Sequence, residues 1–123
     1  MDELVVSLPR SPESARNARS AVRSALADLD GRVVEMSALL VDELVANAVL
    51  HGEGPISLAV GVQSDCVRIA VADEGRGRPV RQAPSSYSET GRGLSIVNAA
   101  ASQWGVEATD QGKSVWFELE IPG

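Results

Sequence analysis

Cysteine, lysine and aromatic residues are all scarce in this chain. Cys66 is the single cysteine, Lys113 the single lysine beside ten arginines, and aromatics make up 3% of the 123 residues. One cysteine excludes an intramolecular disulfide and a cysteine-based metal cluster. Its place in a strand-like run predicts a buried structural thiol. Few aromatics mean a core of Val, Leu, Ile and Ala, which leaves little stability to spare in a chain of this size. Positive charge is short as well. The net charge of −6 and pI near 4.7 argue against a nucleic-acid binder that relies on general basicity. No apolar run approaches membrane-spanning length. Residues 1–10 begin acidic and lack the apolar stretch of a signal peptide. A cytoplasmic location is the expectation, with neither nucleic acid nor membrane as partner.

What is present is globular: 44% hydrophobic and 23% charged residues, enough for one domain over residues 1–123. Leu4 to Leu8 reads as a first strand ended by Pro9. Ser11-Pro12-Glu13 is a helix-start signal, with Ser11 as cap. Ala15, Ala18, Val22, Ala25, Leu26 and Leu29 then recur on one helical face. Arg16, Arg19 and Arg23 line the other, read as a solvated face. Asp30-Gly31 breaks this helix, and a second runs from about Val33 to Leu50, closed by His51-Gly52. Residues 56–62 and 67–71 alternate as a hairpin. Residues 73–92 are rich in Gly, Pro, Arg and Ser, long for a connection and of the kind that carries function. A third helix is expected from Gly93 to about Ser102, then a strand over 104–108, a turn at 110–112 and a last strand over 115–121. These elements predict an α+β fold. It is a two-layer α/β sandwich whose mixed, mostly antiparallel sheet is covered on one face by three helices.

Three segments can carry chemistry. In the apolar second helix, Glu43 and Asn47 stand four residues apart and stack on one face. Burying them without partners would cost several kcal/mol, so a polar ligand or a wet stripe must meet them. Asn47 offers oxygen to Mg²⁺, and Glu43 can take a proton from a hydroxyl or water. Next comes Asp73-Glu74-Gly75-Arg76-Gly77, directly after a strand. Asp73 can accept from an exocyclic amine such as that of adenine. Gly75 and Gly77 let the backbone approach a flat base; an ordinary Asp/Gly turn is the plain alternative. Third, Gly91-Arg92-Gly93-Leu94 opens a helix whose free N–H groups face an anion. It is neither a P-loop nor a dinucleotide fingerprint. His51, at the end of the second helix, suits the helix dipole. Lys113, in Gly112-Lys113-Ser114, can reach a phosphate or flank a turn, and is read as flanking a turn.

In this order, the three segments resemble the ATP-binding fold shared by DNA gyrase, the heat-shock chaperone, histidine kinases and MutL (GHKL). The chain is also similar, over nearly its whole length, to bacterial anti-sigma factor serine/threonine kinases and their actinobacterial relatives. That likeness is carried by Leu8-Pro9, Glu43 to Ala48 with His51, Asp73 to Gly77, Gly91 to Val97, and Gly112 to Trp116. The resemblance implies Mg²⁺ and ATP as cofactors, with Glu43 as general base and Asn47 as metal ligand. It implies Asp73, Gly75 and Gly77 at the adenine, and Gly91, Arg92, Gly93 and Leu94 at the phosphates. Residues 78–90 would form a short lid. The implied reaction is transfer of the γ-phosphate to a serine of an anti-sigma factor antagonist of the STAS type, with a sigma factor as competing partner. A homodimer accords with such relatives. The alternative is a non-catalytic module whose nucleotide state sets the shape that a partner sees. A histidine kinase piece and a DNA-directed ATPase fit less well. The former lacks a phosphoacceptor hairpin, and the latter lacks a transducer domain and runs against the acidic charge.

Overall fold

The computed structural model describes residues 3–75 and 100–122. Along the chain they form β1 (Glu3–Leu8), α1 (Glu13–Ala25), α2 (Gly31–His51), β2 (Ile56–Val62), β3 (Cys66–Asp73), β4 (Gln103–Ala108) and β5 (Lys113–Glu120). The five strands make one sheet in the order β1-β2-β3-β5-β4. Every pairing between them is antiparallel, so the expected parallel component is absent among the described residues. Short turns between β2 and β3 and between β4 and β5 impose that direction. The third helix of the sequence reading falls largely outside the described residues. Ala100 is helical, and the chain has left the helix by Ala101. Among the described residues no helix is long and apolar enough to cross a membrane.

Period-two patterning sorts the sheet into two faces. Ile56, Leu58, Val60, Val67, Ile69, Val71, Phe117 and Leu119 are buried on the helix side. The other face carries small and polar residues. There the Arg68 guanidinium lies 4.0 Å from the centre of the Trp116 ring and 3.1 Å from the Glu118 carboxylate. Cys66 belongs to this second face and is half-buried, so the expected buried thiol is corrected by strand parity.

α2 is the central helix. Its buried residues run from Val33 to Ala48 over more than one face, because it meets the sheet on one side and α1 on the other. The Asp30 carboxylate caps it by accepting the Arg32 N–H at 2.8 Å. At the far end Arg10 Nη1 donates to the Val49 carbonyl at 2.9 Å, satisfying one of the carbonyls a helix end leaves open. α1 buries Ser14, Ala18 and Val22, and Leu26 follows them into the core. It ends earlier than the apolar spacing suggests. Residues 26–29 turn back through a Leu29 N–H to Leu26 carbonyl bond of 2.9 Å, which lets Leu29 pack against the core.

Two readings of α1 need correction. Pro12, not Ser11, occupies the cap position, with no side-chain cap bond. The Ser14 hydroxyl instead donates to the Pro9 carbonyl. A backbone N–H and the Ser11 hydroxyl hold the Glu13 carboxyl below its ordinary range. The arginine face is not simply solvated. Arg19 pairs with Asp42 and Arg23 with Glu35 at 3.0 Å, both across to α2. Hydrogen bonding to Arg23 likewise holds the Glu35 carboxyl low.

Phe117 is the largest fully buried side chain among the described residues. Phe117→Ala is expected to lower unfolding free energy by about 3–5 kcal/mol, read by urea denaturation. Val5→Ala, at a side chain 63% exposed, should change it by less than about 0.5 kcal/mol.

Candidate functional site

β3 ends in a buried carboxylate. Asp73 follows Val67, Ile69 and Val71 on the helix-side face and is 6% exposed. Its Oδ1 accepts the Gly75 N–H at 2.7 Å, a local turn bond of the kind Asp favours. The same oxygen accepts from Lys113 Nζ at 3.0 Å. Lys113 is the cross-strand partner of Asp73 and is itself buried. The turn-flanking role expected for Lys113 is therefore corrected. Parity puts it on the helix-side face with Val115, Phe117 and Leu119, and register delivers it to Asp73.

Glycines make this clasp possible. A Cβ on Gly52 would stand 2.6 Å from both the Asp73 Cγ and the Ala48 carbonyl. The end of α2 thus touches the carboxylate directly. A Cβ on Gly112 would stand 2.0 Å from the Asp73 carbonyl oxygen, where only glycine fits. The Glu74 N–H donates to the Glu53 carbonyl at 2.8 Å, fastening the segment after β3 to the segment after α2.

Working back along α2 from Gly52, Asn47 and Glu43 follow at rises of about 7 Å and about 13 Å. The site therefore lies along one helix, with Asp73 at its C-terminal end. Asn47 is 8% exposed, and its Nδ2 has no hydrogen-bond partner among the described residues. An orphaned amide in a buried place costs about 1–3 kcal/mol. The amide's oxygen and nitrogen exchange by a flip of the side chain, so this position suits either a cation or an anionic oxygen. Glu43 is half-buried. Its neighbour Asp42 is turned toward α1 and taken by Arg19. His51 ends α2 and is exposed.

Of the residues singled out from sequence, the structure describes Glu43, Asn47, Asp73 and Gly75. Asp73 and Gly75 meet directly, and Asn47 and Glu43 lie on the helix whose end they touch. Gly77, Gly91, Arg92, Gly93, Leu94 and the segment 78–90 lie outside the described residues. Sequence reasoning missed Gly52 and Gly112, and it misjudged Lys113. The available signal was parity: Lys113 stands two residues before Val115, as Asp73 stands two after Val71.

Two cavities lie nearby or apart. One of about 180 Å³ is lined by Asp73, Glu74, Ser57, Ala72 and Gln111 among others. A larger one, about 870 Å³, lies between Leu4, Ala21, Ala25 and Val60, at the opposite end of the strands from Asp73. The larger is lined mainly by apolar residues, together with Glu3 and Ser24, and holds none of the candidate site residues.

Replacing Asn47 by leucine removes the orphaned group and keeps the same branched heavy-atom skeleton. Asn47→Leu is expected to leave stability unchanged or raise it by about 1 kcal/mol, measured by thermal and urea unfolding.

Comparison with known proteins identifies the family. Along 87 residues the chain is 36% identical to the sensor histidine kinase VxrA of Vibrio cholerae, a match covering 67% of this chain and 17% of that protein. The chain thus spans under a fifth of that relative's length. Residues 8–119 match the histidine kinase-like ATPase domain, and the chain belongs to that family of ATP-binding domains.

Proposed function

We propose that this chain is an ATP-dependent protein kinase of the anti-sigma factor type, which phosphorylates a serine on an antagonist protein. The observation that carries the reading is the orphaned Asn47 amide. It is buried on the helix that runs between a potential base, Glu43, and a carboxylate suited to an amine, Asp73. A buried amide nitrogen with no partner among the described residues, beside Glu43 on the same helix, supports a ligand at this place.

The residues fit magnesium as well as ATP. Asn47 would hold the cation through its amide oxygen, and the nucleotide would supply most other ligands, as Mg²⁺ prefers. When bound, the ion neutralises charge on the phosphates. Asp73 would accept from the adenine amine, and Gly75 and Gly77 would let the backbone approach the ring. Gly91, Arg92, Gly93 and Leu94, which lie outside the described residues, would supply N–H groups to the phosphates. Glu43 takes the proton from the attacking serine hydroxyl. Positioning supplies most of the rate in such transfers. The acceptor is a STAS-type antagonist, a sigma factor competes for the same chain, and the result regulates transcription in the cytoplasm. We further propose that residues 1–123 act as one domain and associate as a homodimer.

The second reading is a non-catalytic module whose nucleotide state governs partner binding. Glu43 favours the kinase, since a binder needs no base. The similarity to a sensor histidine kinase raises a third reading, with histidine as the acceptor.

With γ-radiolabelled ATP and an antagonist, acid-stable label is expected on serine. Glu43→Gln should lower kcat by about 10² or more, with the KM for ATP within a few-fold. Asn47→Ala and Asp73→Ala should each weaken Mg²⁺-ATP binding at least about tenfold, by calorimetry. Unchanged affinity in both would remove the site. Acid-labile label would point to histidine, and ATP binding without label to the regulatory module.

A further inference from the structure

We propose that the protein that accepts the phosphoryl group docks on Met36 and Leu39 of α2, through apolar side chains that flank its acceptor residue. This inference rests on the kinase reading and names the seat of its protein substrate.

Arg32, Met36, Leu39, Glu43, Ala46 and Leu50 follow one another at intervals of four, three, four, three and four. They therefore share one stripe of α2. That stripe is open to solvent. Met36 is 37% exposed, Leu39 43% and Leu50 60%, whereas Val41 and Val45, on the opposite side of the helix, are sealed. Met36 and Leu39 stand three residues apart and adjoin. Neighbouring large apolar side chains left in water mark a contact surface.

The order of groups along α2 says which contact. The Gly52–Asp73 approach closes the C-terminal end, where the kinase reading puts adenine. Asn47 and the phosphates follow, and the transferred phosphate then lies at Glu43. An acceptor reaches that carboxylate from the N-terminal side. Leu39 and Met36 lie on that side, about 6 Å and about 10 Å before Glu43. Extended chain advances about 3.4 Å per residue, so side chains two or three residues from the acceptor cover both. Arg32 stands one turn further, exposed and in none of the ion pairs among the described residues. It lies at the positive end of the α2 dipole. The partner that fits carries apolar residues beside its acceptor and an acidic one beyond them. A second copy of this chain fits worse. Laid along the stripe, it would bring two Glu43 side chains within about a turn of each other, a like-charge contact.

The test compares the wild type, Met36→Ser/Leu39→Ser, Arg32→Glu and the control Val5→Ser, with Mg²⁺-ATP and purified STAS-type antagonists of the same genome. The double variant should raise the KM for the labelled antagonist about tenfold or more, and Arg32→Glu several-fold. Its kcat at saturating antagonist should stay within about twofold, with ATP affinity by calorimetry and Tm unchanged. Val5→Ser should leave every value as it is. An unchanged KM in the double variant overturns the inference. A weaker ATP affinity or a lower Tm assigns the shelf to another segment of this chain, and loss of a dimer in sedimentation assigns it to a second copy; either overturns it. A wild type that labels no antagonist removes the kinase reading, and this inference falls with it.

Discussion

A buried carboxylate at the end of a strand constrains much of this structure. Asp73 can be charged and nearly sealed from water only because Lys113 and the Gly75 N–H hold Oδ1. Three stretches remote in sequence must meet to arrange this: residues 52–53, 73–75 and 112–113. Each is brought in by a different force. The Asp73–Lys113 pair is the last rung of the β3–β5 ladder, so a slip of one residue would swing Lys113 to the opposite face. The end of α2 comes close because Gly52 has no Cβ. The turn into β5 reaches the Asp73 backbone because Gly112 has none. The direction of the helix, the register of the sheet and the choice of glycine are thus one constraint seen from three sides.

α2 shows how stability and function divide along a single element. Val33, Leu40, Val41, Leu44, Val45 and Ala48 give it the buried surface that joins α1 to the sheet. Asn47 stands among them with an unpartnered nitrogen, a local loss that the surrounding apolar burial absorbs. A residue chosen for folding alone would be leucine or alanine here. The helix is held at both ends by groups outside its core, Asp30 at the start and Arg10 near the finish. That fixes the orientation in which Glu43, Asn47 and the Gly52–Asp73 contact succeed one another.

Features set by neighbours in sequence were legible before the fold was known. The four-residue spacing of Glu43 and Asn47 needs only helical periodicity. The Asp73-x-Gly75 turn needs only a strand that stops, and the hairpin of β2 and β3 follows from alternation around Gln63-Ser64-Asp65. What sequence could not supply was pairing between remote elements. Lys113 looked like a turn residue because the β3–β5 register is decided by strands separated by forty residues. Arg19 and Arg23 looked solvated because their partners, Asp42 and Glu35, sit on another helix. Cys66 was misplaced for a simpler reason. It opens a strand with Val67, Ile69 and Val71 inside, so parity puts it on the half-buried face.

The order of groups along α2 separates recognition from reaction. The proposed base-reading end lies at Gly52 and Asp73, whereas the proposed proton acceptor lies about two and a half turns away at Glu43. Such an arrangement can keep one nucleotide site while the phosphate acceptor varies. This accords with 36% identity to a sensor histidine kinase over a segment covering 17% of that protein. The acceptor end has its own anchor in this chain. Asp42, adjacent to Glu43, is paired with Arg19 of α1, so any partner that shifts α1 would pull on the backbone that carries the proposed base. The Asp73–Lys113 clasp, fastened instead by β5 and the segment after α2, would stay in place. Coupling between partner and phosphoryl transfer would then run through α1 and act on the rate, while nucleotide affinity stayed under the control of the sheet.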